Sequence, residues 1–256
     1  MGADVDDGGL GPFFALESWR DGDGWRPLDD LVSDPQVVAE RVAAARTMMA
    51  ERTGLPADRL DPRVMASVVS LGLFARLLSP PFGSAVRTGA VPALTVANLW
   101  WKPVAGGPWP LATSAGEPPR PLPSPETVAA QFAEQIVAGV AAPALAVFAE
   151  RYRLSEKVLW GNVGSALGGA VGMLTTVRPE LAGRTADLAE RVLAVSPLLG
   201  TGRLEHPDPR QPRRFFVRRS CCLFYRIPGG GTCSDCVLSH EDVRRHTATQ
   251  PGVASS

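Results

Sequence analysis

Ser155-EKVLWGNVGSALGGAVGMLTT-Val177 is the stretch on which the fold class turns. Ser155 followed by Glu156 is a helix-start signal: the hydroxyl accepts from early N–H groups, and the acid suits the positive end of the helix dipole. From Val158 to Val177 no charged residue interrupts the run. A membrane span needs roughly 20 strongly apolar residues. This run reaches the length, but its glycines, Asn162, Ser165 and two threonines dilute it. It therefore reads as a helix buried in a protein core.

Similar signals lie on both sides. Ser33 or Asp34 caps a helix with Pro35 in its first turn, stopping at Gly54. Asp61-Pro62 starts another, apolar to Leu78, which Pro80-Pro81 is expected to end. Ser124-Pro125-Glu126 opens a third, with Phe132, Ile136 and Val140 on its apolar face and Pro143 expected to kink or break it before Leu145–Tyr152. Pro179-Glu180 begins the helix that ends near Ser196-Pro197. Strand signals are fewer. Leu94–Trp101 and Trp109–Thr113 flank a Gly-Gly turn and read as a hairpin, and Phe215–Val217 and Leu223–Tyr225 are short β-type runs. The expectation is a mostly α protein: a single helical domain with a small hairpin and an irregular C-terminal element. Its segments run 1–30 (N-terminal, partly disordered), 31–205 (helical domain), 206–247 (cysteine-bearing element) and 248–256 (disordered tail), with Glu117–Pro125 as a Pro-rich linker.

The chain of 256 residues carries 26 basic and 26 acidic residues. That balance gives no bulk-charge drive toward nucleic acid. The start, Met1-Gly-Ala-Asp-Val-Asp-Asp, is acidic where a secretory signal is basic, so a cytoplasmic protein without a membrane span is expected, compatible with peripheral association.

All four cysteines fall between Cys221 and Cys236, in the pattern Cys-Cys-x10-Cys-x2-Cys. In a reducing compartment such a cluster points to metal or redox chemistry rather than disulfides. Cys233-Ser-Asp-Cys236 is a turn able to aim two thiolates at one metal. Cys221 and Cys222 are adjacent, and both can ligate only where the backbone turns, because neighbouring side chains on an extended chain point to opposite faces. A two-iron cluster spreads its ligand positions over two metals and accommodates such a pair more readily than one tetrahedral zinc. Spacing alone leaves an iron–sulfur cluster, a structural zinc and a Cys233/Cys236 dithiol open. Gly229-Gly230-Gly231 lets the backbone fold closely around a cluster, and Arg213, Arg214, Arg218, Arg219 and Arg226 supply cations that stabilise a reduced, more anionic state, unless they form only a solvated basic face.

Arg218-Arg-Ser-Cys-Cys-Leu-Phe-Tyr-Arg226, followed by Thr232-Cys-Ser-Asp-Cys-Val237, resembles the C-terminal signature of FhuF-type ferric-siderophore reductases. Leu159-Trp-Gly-Asn-Val-Gly-Ser-Ala-Leu167 is similar to a second segment, shared with the FhuF-like domain of siderophore synthetases, and Gly24-Trp-Arg-Pro-Leu28 resembles the family's start in general character. The resemblance implies a [2Fe–2S] cluster on Cys221, Cys222, Cys233 and Cys236. It further implies one-electron reduction of a ferric siderophore in the cytosol, releasing Fe(II), which hard oxygen donors hold weakly. The family often has proline after the last cysteine; here Val237 stands there, which removes no ligand.

No dinucleotide-binding Gly-x-Gly-x-x-Gly motif follows a strand signal, so a separate protein donor such as a ferredoxin is expected. Trp160, Asn162, Arg218 and Arg219 are the candidate substrate contacts. The glycine-rich surface at Gly161, Gly164, Ser165, Gly168, Gly169 and Gly172 serves either close helix packing, the commoner use, or the accommodation of a bulky siderophore. Trp100, Trp101 and Trp109 read as core before cleft. His240 and His246 offer a Rieske-like replacement ligand, disfavoured with four cysteines present. The alternatives to a reductase are a non-catalytic siderophore-binding or iron-handling protein with a structural Fe–S or zinc site, and an iron–sulfur transcription sensor, which the balanced charge and lack of a helix-turn-helix disfavour.

Overall fold

The computed structural model describes residues 9–22, 24–104, 109–115, 120–208 and 210–238. The Gly-Gly turn at 106–107, His240, His246 and the 248–256 tail lie outside the described residues.

The protein is mostly α. Its helices are α1 (Leu28–Ser33), α2 (Pro35–Thr53), α3 (Pro62–Thr88), α4 (Pro125–Gln131), α5 (Ala142–Tyr152), α6 (Glu156–Val177) and α7 (Ala182–Leu193), and a π-helical stretch, Phe132–Ala141, joins α4 to α5. Asp34, Asp61, Ser124 and Ser155 each cap their helix by accepting a backbone N–H, as expected. α3 and α6 lie along one another at the centre, and the other helices pack around them.

Two prolines do not do what local rules assign them. α3 continues through Pro80-Pro81 to Thr88 and ends at Gly89, which is left-handed at φ 72°. A proline inside a helix costs about 3 kcal/mol. Ending at Leu78 would expose Phe82, Ala85 and Val86, which are fully enclosed. At about 1.5–3 kcal/mol for each large apolar side chain, that burial offsets much of the loss, and Phe82 meets Phe132 edge-on at 5.8 Å. Pro143 likewise breaks nothing. It enters the first turn of α5 after the π stretch, where Ala142 N–H reaches back to Val137. Widening the ladder to an i→i+5 pattern accommodates the missing donor without ending the helix.

The expected hairpin is real but shorter, and it belongs to a larger sheet. β1 (Glu17–Ser18), β2 (Arg26–Pro27), β3 (Leu99–Trp101) and β4 (Leu111–Thr113) form a four-stranded sheet in the order β1-β4-β3-β2. β3 and β4 are antiparallel, with Trp100 opposite Ala112, whereas residues 96–98 turn as a 3₁₀ helix. Trp101 and Trp109 are buried against each other at 5.3 Å, and Trp100 stacks on Trp19, so these tryptophans are structural. Arg76 of α3 is buried below them. It donates to the carbonyls of Trp109, Pro12, Phe13 and Ala15, tying residues 12–15 to the core.

A second sheet pairs β5 (Gly202–Glu205) with β6 (Phe215–Arg218), antiparallel, across the expected boundary at 205/206. This pair rests on α6 and leads straight into the cysteines.

By length and composition alone, α3, the 125–152 helix and α6 could each cross a membrane, which corrects the expectation that the α6 run is too weakly apolar. Their apolar windows are 78%, 50% and 67% buried inside the fold.

Candidate metal centre

The glycine face of α6 is the seat of the site. A Cβ on Gly168 would run into Phe216 of β6, one on Gly164 would lie 2.7 Å from Thr201 Oγ1, and one on Gly161 would collide with Ser220. Their absence lets strand β6 lie against the helix. The glycines at 161, 164 and 168 thus serve close packing, and that face carries protein rather than ligand. Gly169 points away, with nothing near its Cβ direction.

Beyond β6 the chain reaches Cys221 and Cys222. The turn that adjacent ligands demand is present at Leu223, a non-glycine residue in the left-handed region at φ 68°. It starts a 3₁₀ turn over Phe224–Arg226, where sequence reasoning expected a strand. The reason is local: Leu223 N–H donates to Cys221 Sγ at 3.3 Å, folding the backbone over that sulfur. Gly229 and Gly231 are also left-handed, at φ 75° and 67°, and carry the chain back to Cys233. Cys236 N–H closes the second turn on Cys233 O at 3.2 Å, and Leu238 N–H donates to Cys236 Sγ at 3.4 Å.

All four cysteines are free, Cys222 buried and the other three half-buried. Cys222 and Cys233 stand with sulfurs 3.5 Å apart. Two thiolates on one tetrahedral metal, with bonds of about 2.3 Å, sit about 3.7 Å apart. Among the described residues no group of three potential ligands closes on a single ion. The Cys222 and Cys233 thiols share a contact that lowers the first and raises the second, and Phe224 N–H and Arg218 also lower Cys222. Burial pushes the Cys221 thiol up.

Polar side chains from α3 and α6 hold this loop. Ser67 Oγ donates to Cys222 O at 2.8 Å. Asn162 donates to Ser67 O at 2.9 Å and to the hydroxyls of Ser67 and Ser70, both at 3.1 Å. Its amide oxygen accepts from Arg218 Nη2 at 2.9 Å, and Arg218 Nε donates to Ser220 O. Ser165 of α6 donates to Asp235, between the last two cysteines. Ser67, Ser70 and Asp235 were not singled out from sequence. The serines lie 95 and 92 residues before Asn162, and Ser67 lies 155 before Cys222, so only helix packing brings them here.

Asn162 and Arg218, expected at the substrate, are buried in this network, which corrects that assignment. A polar residue on a tightly packed helix face finds its partners within the protein. Trp160 is half-buried and Arg219 exposed. The remaining arginines divide: Arg226 pairs with Asp61 at 3.3 Å, Arg213 covers the Phe215 ring, and Arg214 is half-buried.

Residues 218–238 match the family model of the FhuF 2Fe-2S C-terminal domain. This segment is similar to a FhuF-type iron–sulfur domain. No curated protein matches the chain. The cofactor of the FhuF-type domain is a [2Fe–2S] cluster, and the residues fit it: four free thiols, N–H donors on two sulfurs, and a buried guanidinium whose Nη1 has no partner.

Proposed function

We propose that the protein is a cytoplasmic ferric-siderophore reductase, delivering one electron to a ferric chelate so that iron leaves as Fe(II). The observation that carries this reading is the FhuF-type domain, complete in its four cysteines and packed onto a helical body. When bound by Cys221, Cys222, Cys233 and Cys236, the cluster supplies one-electron redox chemistry.

The chain's own residues do the rest. Ser67, Ser165 and the N–H groups of Leu223 and Leu238 orient the cysteine loop. Half-burial of Cys221, Cys233 and Cys236 leaves the loop within reach of a partner, for which a separate donor protein such as a ferredoxin is proposed. A cleft of about 590 Å³ opens beside the start of α3, lined by Arg46, Arg63, Arg151 and Arg153 together with Glu40. Its net positive lining suits a ferric chelate carrying negative charge. Arg63 stands one helical turn before Ser67, which holds Cys222 O.

The test is single-turnover reduction. Anaerobically purified protein is reduced with dithionite, freed of excess reductant and mixed with a ferric hydroxamate chelate in the presence of a coloured Fe(II) trap. Reoxidation of the visible chromophore in step with Fe(II) capture supports the reading. Binding of the chelate without electron transfer would leave a non-catalytic iron-handling protein, and one zinc with no visible absorption would remove the redox role altogether.

A further inference from the structure

Arg218 is 1% exposed, yet its guanidinium meets no carboxylate among the described residues. Its partners are neutral, the amide oxygen of Asn162 and the carbonyl of Ser220, and Nη1 has none. A buried, unpaired cation is expensive, and arginine cannot shed its proton to escape the cost. A second orphan, the buried Ser220 hydroxyl, lies alongside, one residue before Cys221. The missing anion has an evident source: four thiolates around two ferric irons and two sulfides leave a net negative charge, which grows by one on reduction. Arg218 already acts electrostatically on both Cys221 and Cys222.

We propose that Arg218, held by Asn162, is the fixed internal counter-charge of the cysteine site and raises its one-electron reduction potential. The inference rests on the reading that the four cysteines hold the [2Fe–2S] cluster. Arg218 is a positioning and tuning residue. It forms and breaks no bond; the electron comes from the donor and the added negative charge stays opposite the guanidinium. Because the cation is buried, salt screens it little, unlike exposed Arg219 on the same strand end.

The experiment is a spectroelectrochemical titration of the anaerobically purified full chain, with iron content measured for every variant. Arg218→Gln and Arg218→Met are expected to change the reduced-to-oxidised ratio at a fixed potential at least tenfold against reduction, a fall of about 59 mV for one electron. Arg218→Lys keeps the charge and is expected to stay near wild type. Arg219→Gln is expected to shift the midpoint far less, and only at low salt. Should both neutral variants lose their iron, Arg219→Gln titrated over ionic strength still decides: with that exposed charge gone, a midpoint unchanged by salt supports the buried charge, and one that tracks salt overturns it. Iron-loaded Arg218→Met with a wild-type midpoint also overturns the proposal. Wild-type protein without a visible chromophore would instead overturn the cluster reading, and the proposal with it.

Discussion

Gly168 and Gly169 are neighbours on α6 and differ in one respect, which makes them a clean test of how the site is seated. Alanine at either position gains helix propensity of about 1 kcal/mol. At Gly169 that gain is uncontested, because nothing lies within 4 Å of the added methyl. At Gly168 the methyl would overlap Phe216 Cβ and lie 2.6 Å from its Cγ. Phe216 Cβ is anchored to the backbone of β6, so the strand must move rather than a side chain. Overpacking of this kind costs about 1–3 kcal/mol. Gly169→Ala is therefore expected to raise the melting temperature by about 2–4 °C, the shift that about 1 kcal/mol makes in a chain of this size. Gly168→Ala is expected to be neutral to about 2 kcal/mol destabilised, and to lose bound iron because β6 leads directly to Cys221. Thermal unfolding by far-UV circular dichroism and iron per protein measure the two effects. Equal melting temperatures and equal iron content in the two variants would refute the claim that the glycine face seats the strand.

Leu223→Gly should retain iron, since glycine adopts the left-handed turn freely, whereas Leu223→Val should lose most of it, since a β-branched residue resists positive φ; iron analysis separates them. Stripping iron with a chelator under reducing conditions should abolish visible absorption but leave the far-UV spectrum intact, because the helical core is built without the cysteines; loss of helicity would show that the metal holds the fold. Arg63→Glu combined with Arg153→Glu should raise KM for an anionic ferric chelate about tenfold, within the range of electrostatic focusing, with kcat and the visible spectrum unchanged; an unaltered KM would exclude the cleft as the docking site.

The legible parts of this chain are those that local chemistry decides. Asp34, Asp61, Ser124 and Ser155 cap helices because a short side-chain oxygen before a helix has one good use. The cysteine spacing was readable because thiol ligands are rare and their geometry is strict. What escaped was decided at long range. Pro80-Pro81 reads as a stop until the burial of Phe82 and Val86 is known. Leu223–Tyr225 is a strand by composition and a turn by the demand of Cys221. Asn162 and Arg218 looked like ligand contacts because nothing local shows that Ser67, 95 positions earlier, waits to receive the amide.

Arg76 bears on how the protein is handled. Its guanidinium, with a pKa drawn down to about 10 by burial, still carries its charge at neutral pH and discharges it onto the carbonyls of residues 12–15. Trimming the chain past Phe13 would strand that cation in the interior beneath the tryptophans, at the middle of the same helix whose Ser67 holds the cysteine loop. Residues 12–15 supply the carbonyls that answer a buried charge, and an affinity tag belongs ahead of Leu10 or at the far end, never in their place.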